Sequence, residues 1–142
     1  MGKILIIEDD FTFSNYLNSS LYKLGYEDIL VCNSTNDARK HISENDISII
    51  LLDIFLFQEN TIAFAHSISE ENIPIIFMTQ SEDIAIYNQL KDIQNSSFIV
   101  KPFHYFTIDR NIKLLLKESK ANLQKNVIKD GRKDSLISQT IV

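Results

Sequence analysis

Glycine and proline are scarce, three and two in 142 residues. That excludes a Gly/Ser linker and a glycine-rich phosphate loop. The one cysteine, Cys32, excludes an internal disulfide and a cysteine-built zinc site; it reads as a small apolar residue at a strand end. No apolar run approaches the ~20 residues a membrane helix needs. The start, Met1-Gly2-Lys3-Ile4, passes straight into a strand-like run without a signal-peptide pattern, so a cytoplasmic protein is expected. A net charge of −5 excludes a chain-wide basic nucleic-acid binder, though not a local patch. His41, His66 and His104 share no metal-ligand spacing and read as surface or helix-end residues. There is no internal repeat or low-complexity tract.

What is present is organised around Ser48-Ile49-Ile50-Leu51-Leu52-Asp53. Four apolar residues without alternation read as a strand buried on both faces, as in a parallel sheet covered by helices. Such sheets keep their chemistry at the carboxyl ends of the strands, where Asp53 stands. Taken alone, Asp53 serves equally well as a helix cap. Lys3–Ile7 is a second buried strand, ending in Glu8, Asp9 and Asp10. A helix over residues 12–24 places Phe13, Leu17, Leu21 and Leu24 at helical spacing and stops at Gly25. A strand over 28–32 follows. Cap chemistry at Ser34-Thr35-Asn36-Asp37 then opens a helix to Glu44 with Ala38 and Ile42 inward.

After Asp53, residues 59–70 form a helix built on Ile62, Ala65 and Ile68. Pro74 opens a strand over 75–78 that ends at Thr79. Ser81 with Glu82-Asp83 starts a helix through Ile93. A fifth strand over 97–100 ends at Lys101-Pro102, and a last helix runs from His104 to Asn122 or beyond with Ile108, Ile112, Leu115 and Leu116 on one stripe. Five strands alternating with five helices mean a parallel sheet with right-handed crossovers and helices on both faces.

Four strand ends therefore bring Glu8/Asp9, Asp53, Thr79 and Lys101 to one sheet edge. Carboxylates gathered this way repel unless a cation sits among them. An oxygen-only donor set favours a hard cation, Mg²⁺. A lysine and a hydroxyl beside them suit an anionic group carried on a carboxylate oxygen, which describes an acceptor for a phosphoryl group. Taken singly, each residue has an ordinary reading as solvated turn, helix cap or surface charge. Four coincident strand ends weigh against that.

Ile4-Leu5-Ile6-Ile7-Glu8-Asp9-Asp10, Leu51-Leu52-Asp53-Ile54, Phe77-Met78-Thr79 and Val100-Lys101-Pro102-Phe103 together resemble the landmarks of two-component response-regulator receiver domains. The resemblance covers roughly residues 3–120. It implies an α/β, flavodoxin-like, doubly wound five-stranded parallel sheet of order 2-1-3-4-5 with five helices. It implies Asp53 as phosphoacceptor, with Thr79 and Lys101 binding phosphoryl oxygens. Mg²⁺ would be held by Asp9, Asp53 and the backbone carbonyl of Phe55, with Glu8 helping through water. Thr79 and Phe98 would form a switch, and the Lys101-Pro102 bond would be cis. The implied partner is a sensor histidine kinase or phosphotransfer protein, and the implied protein is no enzyme beyond its own phosphorylation and dephosphorylation.

Some positions depart from the family. Phe57 stands where proline is usual and Thr61 where glycine is usual, so the loop after Asp53 has an unset conformation; its many apolar residues suit a partner surface or a local mini-core. Gln80 follows Thr79 where a small residue is usual, and is long enough to cover a phosphoryl group. Asn95 fits a left-handed turn before the fifth strand. On the fourth helix Ala85, Ile86, Leu90 and Ile93 share an inward stripe, leaving Ile84 and Tyr87 to the side. Leu114 on the last helix faces away from Ile112. Ile84, Tyr87 and Leu114 are the expected seam of a homodimer through the fourth helix, fifth strand and fifth helix. Residues 1–122 read as the receiver and 123–142 as a tail or the start of a truncated output domain. Within that stretch, residues 126–133 read as a strand, a turn and a basic step, with a faint likeness to the opening of a LytTR-type DNA-binding domain. Nucleic acid would be met only through such a domain, and no membrane contact is expected. Competing readings are a degenerate receiver acting as an interaction module, the front of a DNA-binding regulator, and a haloacid-dehalogenase-like phosphatase. The last needs a second aspartate where Phe55 stands.

Overall fold

The unbroken apolar run becomes β3 (Ile47–Asp53), the central strand of a five-stranded sheet. The computed structural model describes residues 1–80 and 84–141, with backbone alone for 126–141. Around β3 stand β1 (Lys3–Ile7), β2 (Ile29–Cys32), β4 (Ile75–Thr79) and β5 (Ser96–Val100), all parallel, in the order β2-β1-β3-β4-β5. The helices are α1 (Phe11–Lys23), α2 (Thr35–Glu44), α3 (Thr61–Ser67), α4 (Ile84–Leu90) and α5 (Tyr105–Ile141), with a 3₁₀ turn at Ser69–Glu71.

The strands lack alternation because each face has its own core. Leu5, Ile7, Ile50, Leu52, Ile75 and Phe77 point to one side, where Ala38, Phe64, Ala65 and Leu90 of α2, α3 and α4 cover them. Ile4, Ile6, Ile49, Leu51, Ile76 and Met78 point to the other, beneath Leu17 and Leu21 of α1 and Ile108, Ile112 and Leu115 of α5. Successive strand residues face opposite ways, so a strand buried on both faces must be apolar throughout.

Local chemistry fixes the element ends. Asp10, Ser34 and Asn60 each accept a hydrogen bond from the backbone N–H three residues on, capping α1, α2 and α3. Each such cap contributes about 1 kcal/mol. Gly25, at φ +101°, closes α1, a conformation that only glycine adopts without cost. Asn95 turns into β5 at φ +54°, as its type suggested. Lys101-Pro102 is cis.

Several expectations are corrected. The third helix is shorter than 59–70 and ends in the 3₁₀ turn. Ser81, Glu82 and Asp83, expected to start the fourth helix, lie outside the described residues. Ala85, expected inward, is exposed. Among the described residues helix α4 spans Ile84–Leu90, and it anchors through Leu90 and through Ile93 in the turn beyond it. Residues 126–133 are helical rather than a strand and turn, because α5 continues to Ile141. Once nucleated, a helix gains one hydrogen bond for each residue added, which outweighs the local β-branched preference of Val127-Ile128.

Candidate functional site

In the ladder Ile7 pairs with Leu52, Asp53 with Met78 and Thr79 with Val100. The residues just past these positions thus meet at one edge. One carboxylate oxygen from each of Glu8, Asp9 and Asp53 lies within 4.8 Å of the other two. Glu8 and Asp53 are buried and Asp9 is exposed. From the end of β5, Lys101 Nζ donates to Glu8 Oε2 at 2.5 Å and to Asp53 Oδ2 at 3.1 Å. Its side chain is only 8% exposed, so these contacts are little screened by water.

A backbone N–H orients each carboxylate. The Asp10 N–H donates to Glu8 Oε1 at 3.1 Å, the Phe55 N–H to Asp53 Oδ1 at 2.9 Å and the Phe57 N–H to Asp9 Oδ2 at 2.8 Å. Burial, and then the hydrogen bond to Asp53, push the Glu8 carboxyl up to about 7, against the pull of Lys101 and the Asp10 N–H. One ammonium against three carboxylates leaves excess negative charge. Oxygen donors with such an excess fit a hard divalent cation.

Thr79 is buried at the end of β4, and its carbonyl accepts from the Lys101 N–H at 2.6 Å. Gln80 is exposed and, with Asp10, Phe13, Lys101 and Pro102, lines a cleft of about 300 Å³ beside the cluster. Phe98, on β5, is half-exposed and packs edge-on against Tyr87 of α4, with ring centroids 5.3 Å apart. Ile84, Tyr87 and Leu114 are exposed, as their helical phase suggested.

The loop after Asp53 resolves into two parts. Ile54 and Leu56 turn into the core, while Phe55 and Phe57 stay exposed. Gln58 takes the left-handed conformation, at φ +58°. Thr61 is buried, and its hydroxyl donates to the Ile54 carbonyl at 2.5 Å. Glu59 accepts from the Thr35 N–H at the start of α2. Reasoning from the sequence missed the Thr61 bond, the orienting N–H groups and the contact of Phe13 with Lys101. Only the Thr61 bond had a signal, a hydroxyl where the loop usually has glycine.

A flavodoxin-like sheet that gathers carboxylates, a hydroxyl and an ammonium at its carboxyl edge defines a class of signalling acceptor domains. The chain belongs to the response regulator receiver domain family, whose match spans residues 4–113; it is the receiver module of two-component response regulators. It is similar to the uncharacterized transcriptional regulatory protein YvcP of Bacillus subtilis, 30% identical over 93% of this chain and 56% of the relative. It also matches the aerobic respiration control protein ArcA of Escherichia coli, 31% identical over 71% of this chain and 42% of the relative. Among solved structures, the signal receiver domain of a modulated diguanylate cyclase from Desulfovibrio desulfuricans superposes with a TM-score of 0.76 at 26% identity, covering 86% of this chain and 98% of that one. The chain spans about half the length of the curated relatives it matches. Among the described residues, no helix is long and apolar enough to cross a membrane.

Proposed function

We propose that Asp53 is the phosphoryl acceptor of this receiver and that a sensor histidine kinase or phosphotransfer protein supplies the group. One observation carries the reading: Lys101 Nζ bridges Glu8 Oε2 and Asp53 Oδ2 within a cluster of three carboxylates. Asp9, Asp53 and the Phe55 carbonyl would hold Mg²⁺, with Glu8 helping through water. Bound there, Mg²⁺ would offset charge on the phosphoryl oxygens.

The Phe55 N–H engages Asp53 Oδ1, while Oδ2 lies beside the Lys101 ammonium. An Asp53 oxygen attacks the phosphorus of the donor's phosphohistidine. The P–N bond breaks, the imidazole leaves with the electron pair, and an acyl phosphate remains on Asp53. The Lys101 ammonium and the Thr79 hydroxyl bind phosphoryl oxygens, so catalysis is mainly positioning and charge. The domain acts on no other substrate and is in that sense not an enzyme. Thr79 drawn toward the phosphate frees space that Phe98 enters, shifting the population of a two-state surface. Ile84, Tyr87 and Leu114 are the seam through which the switched form pairs with a second copy. Residues 1–122 act as the receiver, residues 123–142 lead out of it, and the protein works in the cytoplasm.

Retention of Asp9, Asp53, Thr79 and Lys101 argues against a phosphorylation-independent module. YvcP, of which this chain spans little more than half, is described as a transcriptional regulatory protein, which favours a second reading: the receiver is the front part of a DNA-binding regulator. Intact-mass measurement after treatment with acetyl phosphate tests the acceptor. One phosphate is expected with Mg²⁺ and none with EDTA or in Asp53→Asn. An unchanged mass shift in Asp53→Asn would remove Asp53 from the role.

A further inference from the structure

We propose that Phe13 is a positioning residue: its ring seats the Lys101 ammonium against the carboxylates and so sets the rate at which the site takes up phosphate. The inference rests on the acceptor reading above. Lys101 Nζ lies 4.2 Å from the centroid of the Phe13 ring while donating to Glu8 and Asp53. Carboxylates from the ends of β1 and β3 therefore meet the ammonium on one flank, and an aromatic face from α1 meets it on another.

A lysine ammonium is a point charge on a flexible four-carbon stem, and nothing in the side chain itself fixes its place. An aromatic face attracts a cation within about 6 Å of its centroid, and more strongly when the cation is desolvated. The Lys101 side chain is only 8% exposed, so the attraction acts here with little water between the partners. The ring is itself braced. Phe103 meets it edge-on at 5.7 Å and 88°, and Tyr16 of α1 lies 6.3 Å away. Phe103 follows Lys101 by two residues, so the stretch that carries the lysine also holds the ring that seats it.

The cleft lined by Phe13, Gln80, Lys101 and Pro102 is the open space into which an unseated ammonium would swing. Once there, it would leave Asp53 Oδ2 without its partner. The ring closes that route. The site loses preorganisation without it, although every charged group is retained.

The test compares Phe13→Leu, which keeps apolar bulk but removes the π face, with Phe13→Tyr, which restores it. The first readout is the NMR shift of the Lys101 ε-methylene protons in the unphosphorylated protein. They are expected upfield from the ring current in wild type and Phe13→Tyr, and at the ordinary lysine position in Phe13→Leu. The second is the rate of phosphorylation by acetyl phosphate at saturating Mg²⁺. A fall of about tenfold is expected in Phe13→Leu, the change that 1.4 kcal/mol of transition-state stabilisation gives, with recovery to within about twofold in Phe13→Tyr. Unshifted ε-protons in wild type would overturn the seating, whether or not Asp53 accepts phosphate. Shifted protons with an unchanged rate in Phe13→Leu would overturn the positioning role. If wild type took up no phosphate at all, the acceptor reading and the rate-setting role would fail together, while the ε-proton shift would still decide the seating.

Discussion

Replacing Thr61 by valine should loosen the loop that borders the carboxylate cluster while changing no charge. Thr61 is 2% exposed, and its hydroxyl donates to the Ile54 carbonyl at 2.5 Å. Valine has nearly the same shape but no donor, so the variant strands a buried carbonyl. A buried acceptor left unsatisfied costs about 1–3 kcal/mol, and the extra methyl returns part of that, at about 0.8 kcal/mol per buried carbon. A net loss of roughly 0.2–2 kcal/mol lowers Tm by up to roughly 6 °C for a chain of this size. Thr61→Ser keeps the donor and gives up one buried methyl, about 0.8 kcal/mol, so it serves as the control for lost packing. Urea unfolding at fixed pH compares the two. A second readout is local. The loop from Ile54 to Thr61 carries the N–H groups of Phe55 and Phe57, which hold Asp53 and Asp9. Amide exchange at Phe55 and Phe57 should therefore quicken in Thr61→Val but not in Thr61→Ser. Unchanged exchange at both amides in Thr61→Val, or equal quickening in Thr61→Ser, would refute the reasoning.

The fold was legible because its strands obey a simple demand. Ile49–Leu52 carries no polar residue because Ile50 and Leu52 enter one core while Ile49 and Leu51 enter the other. Such a strand can be recognised without knowing its neighbours. The candidate site was legible for a related reason: Glu8, Asp9, Asp53, Thr79 and Lys101 stand at or just past the ends of those strands, so finding the strand ends brought them to one edge. What lay beyond reach was carried by the backbone or by distance in the chain. Any residue type offers the N–H that Phe57 gives to Asp9, so no letter in the sequence marks it. Phe13 reads as one more apolar residue on the stripe of α1, and only the meeting of α1 with the end of β5 gives it the Lys101 ammonium. Ala85 was misplaced because the phase of α4 is set by its buried anchors, here Leu90 and the following Ile93.

Two further outcomes can be checked. The Tyr26 hydroxyl donates to Asp109 Oδ1 at 2.6 Å, tying the chain after α1 to α5. Burial alone would raise the Asp109 carboxyl, but Tyr26 and Lys113 outweigh it and hold it below its usual value. A depressed carboxylate contributes stability above its unfolded pKa and loses it as pH falls through the folded one. Tyr26→Phe should therefore cost roughly 1–2 kcal/mol at pH 7, and urea unfolding should show the gap narrowing below about pH 4; a gap that is constant with pH would count against the pairing. The last outcome concerns the face formed by α4, β5 and α5. Ile84 is 73% exposed, Tyr87 47%, Phe98 39% and Leu114 49%. Scattered apolar residues on a surface are ordinary, but here Tyr87 touches Phe98, the residue proposed to move on phosphorylation. Withdrawal of Phe98 would remove the edge that Tyr87 packs on and free Tyr87 to meet a second copy beside Ile84 and Leu114. Sedimentation with Mg²⁺, with and without beryllofluoride, at about 100 μM, detects affinities weaker than ~10 μM. A dimer should form only with beryllofluoride, and Ile84→Arg should abolish it. A protein that stays monomeric in both states would leave a different protein as the reader of this face.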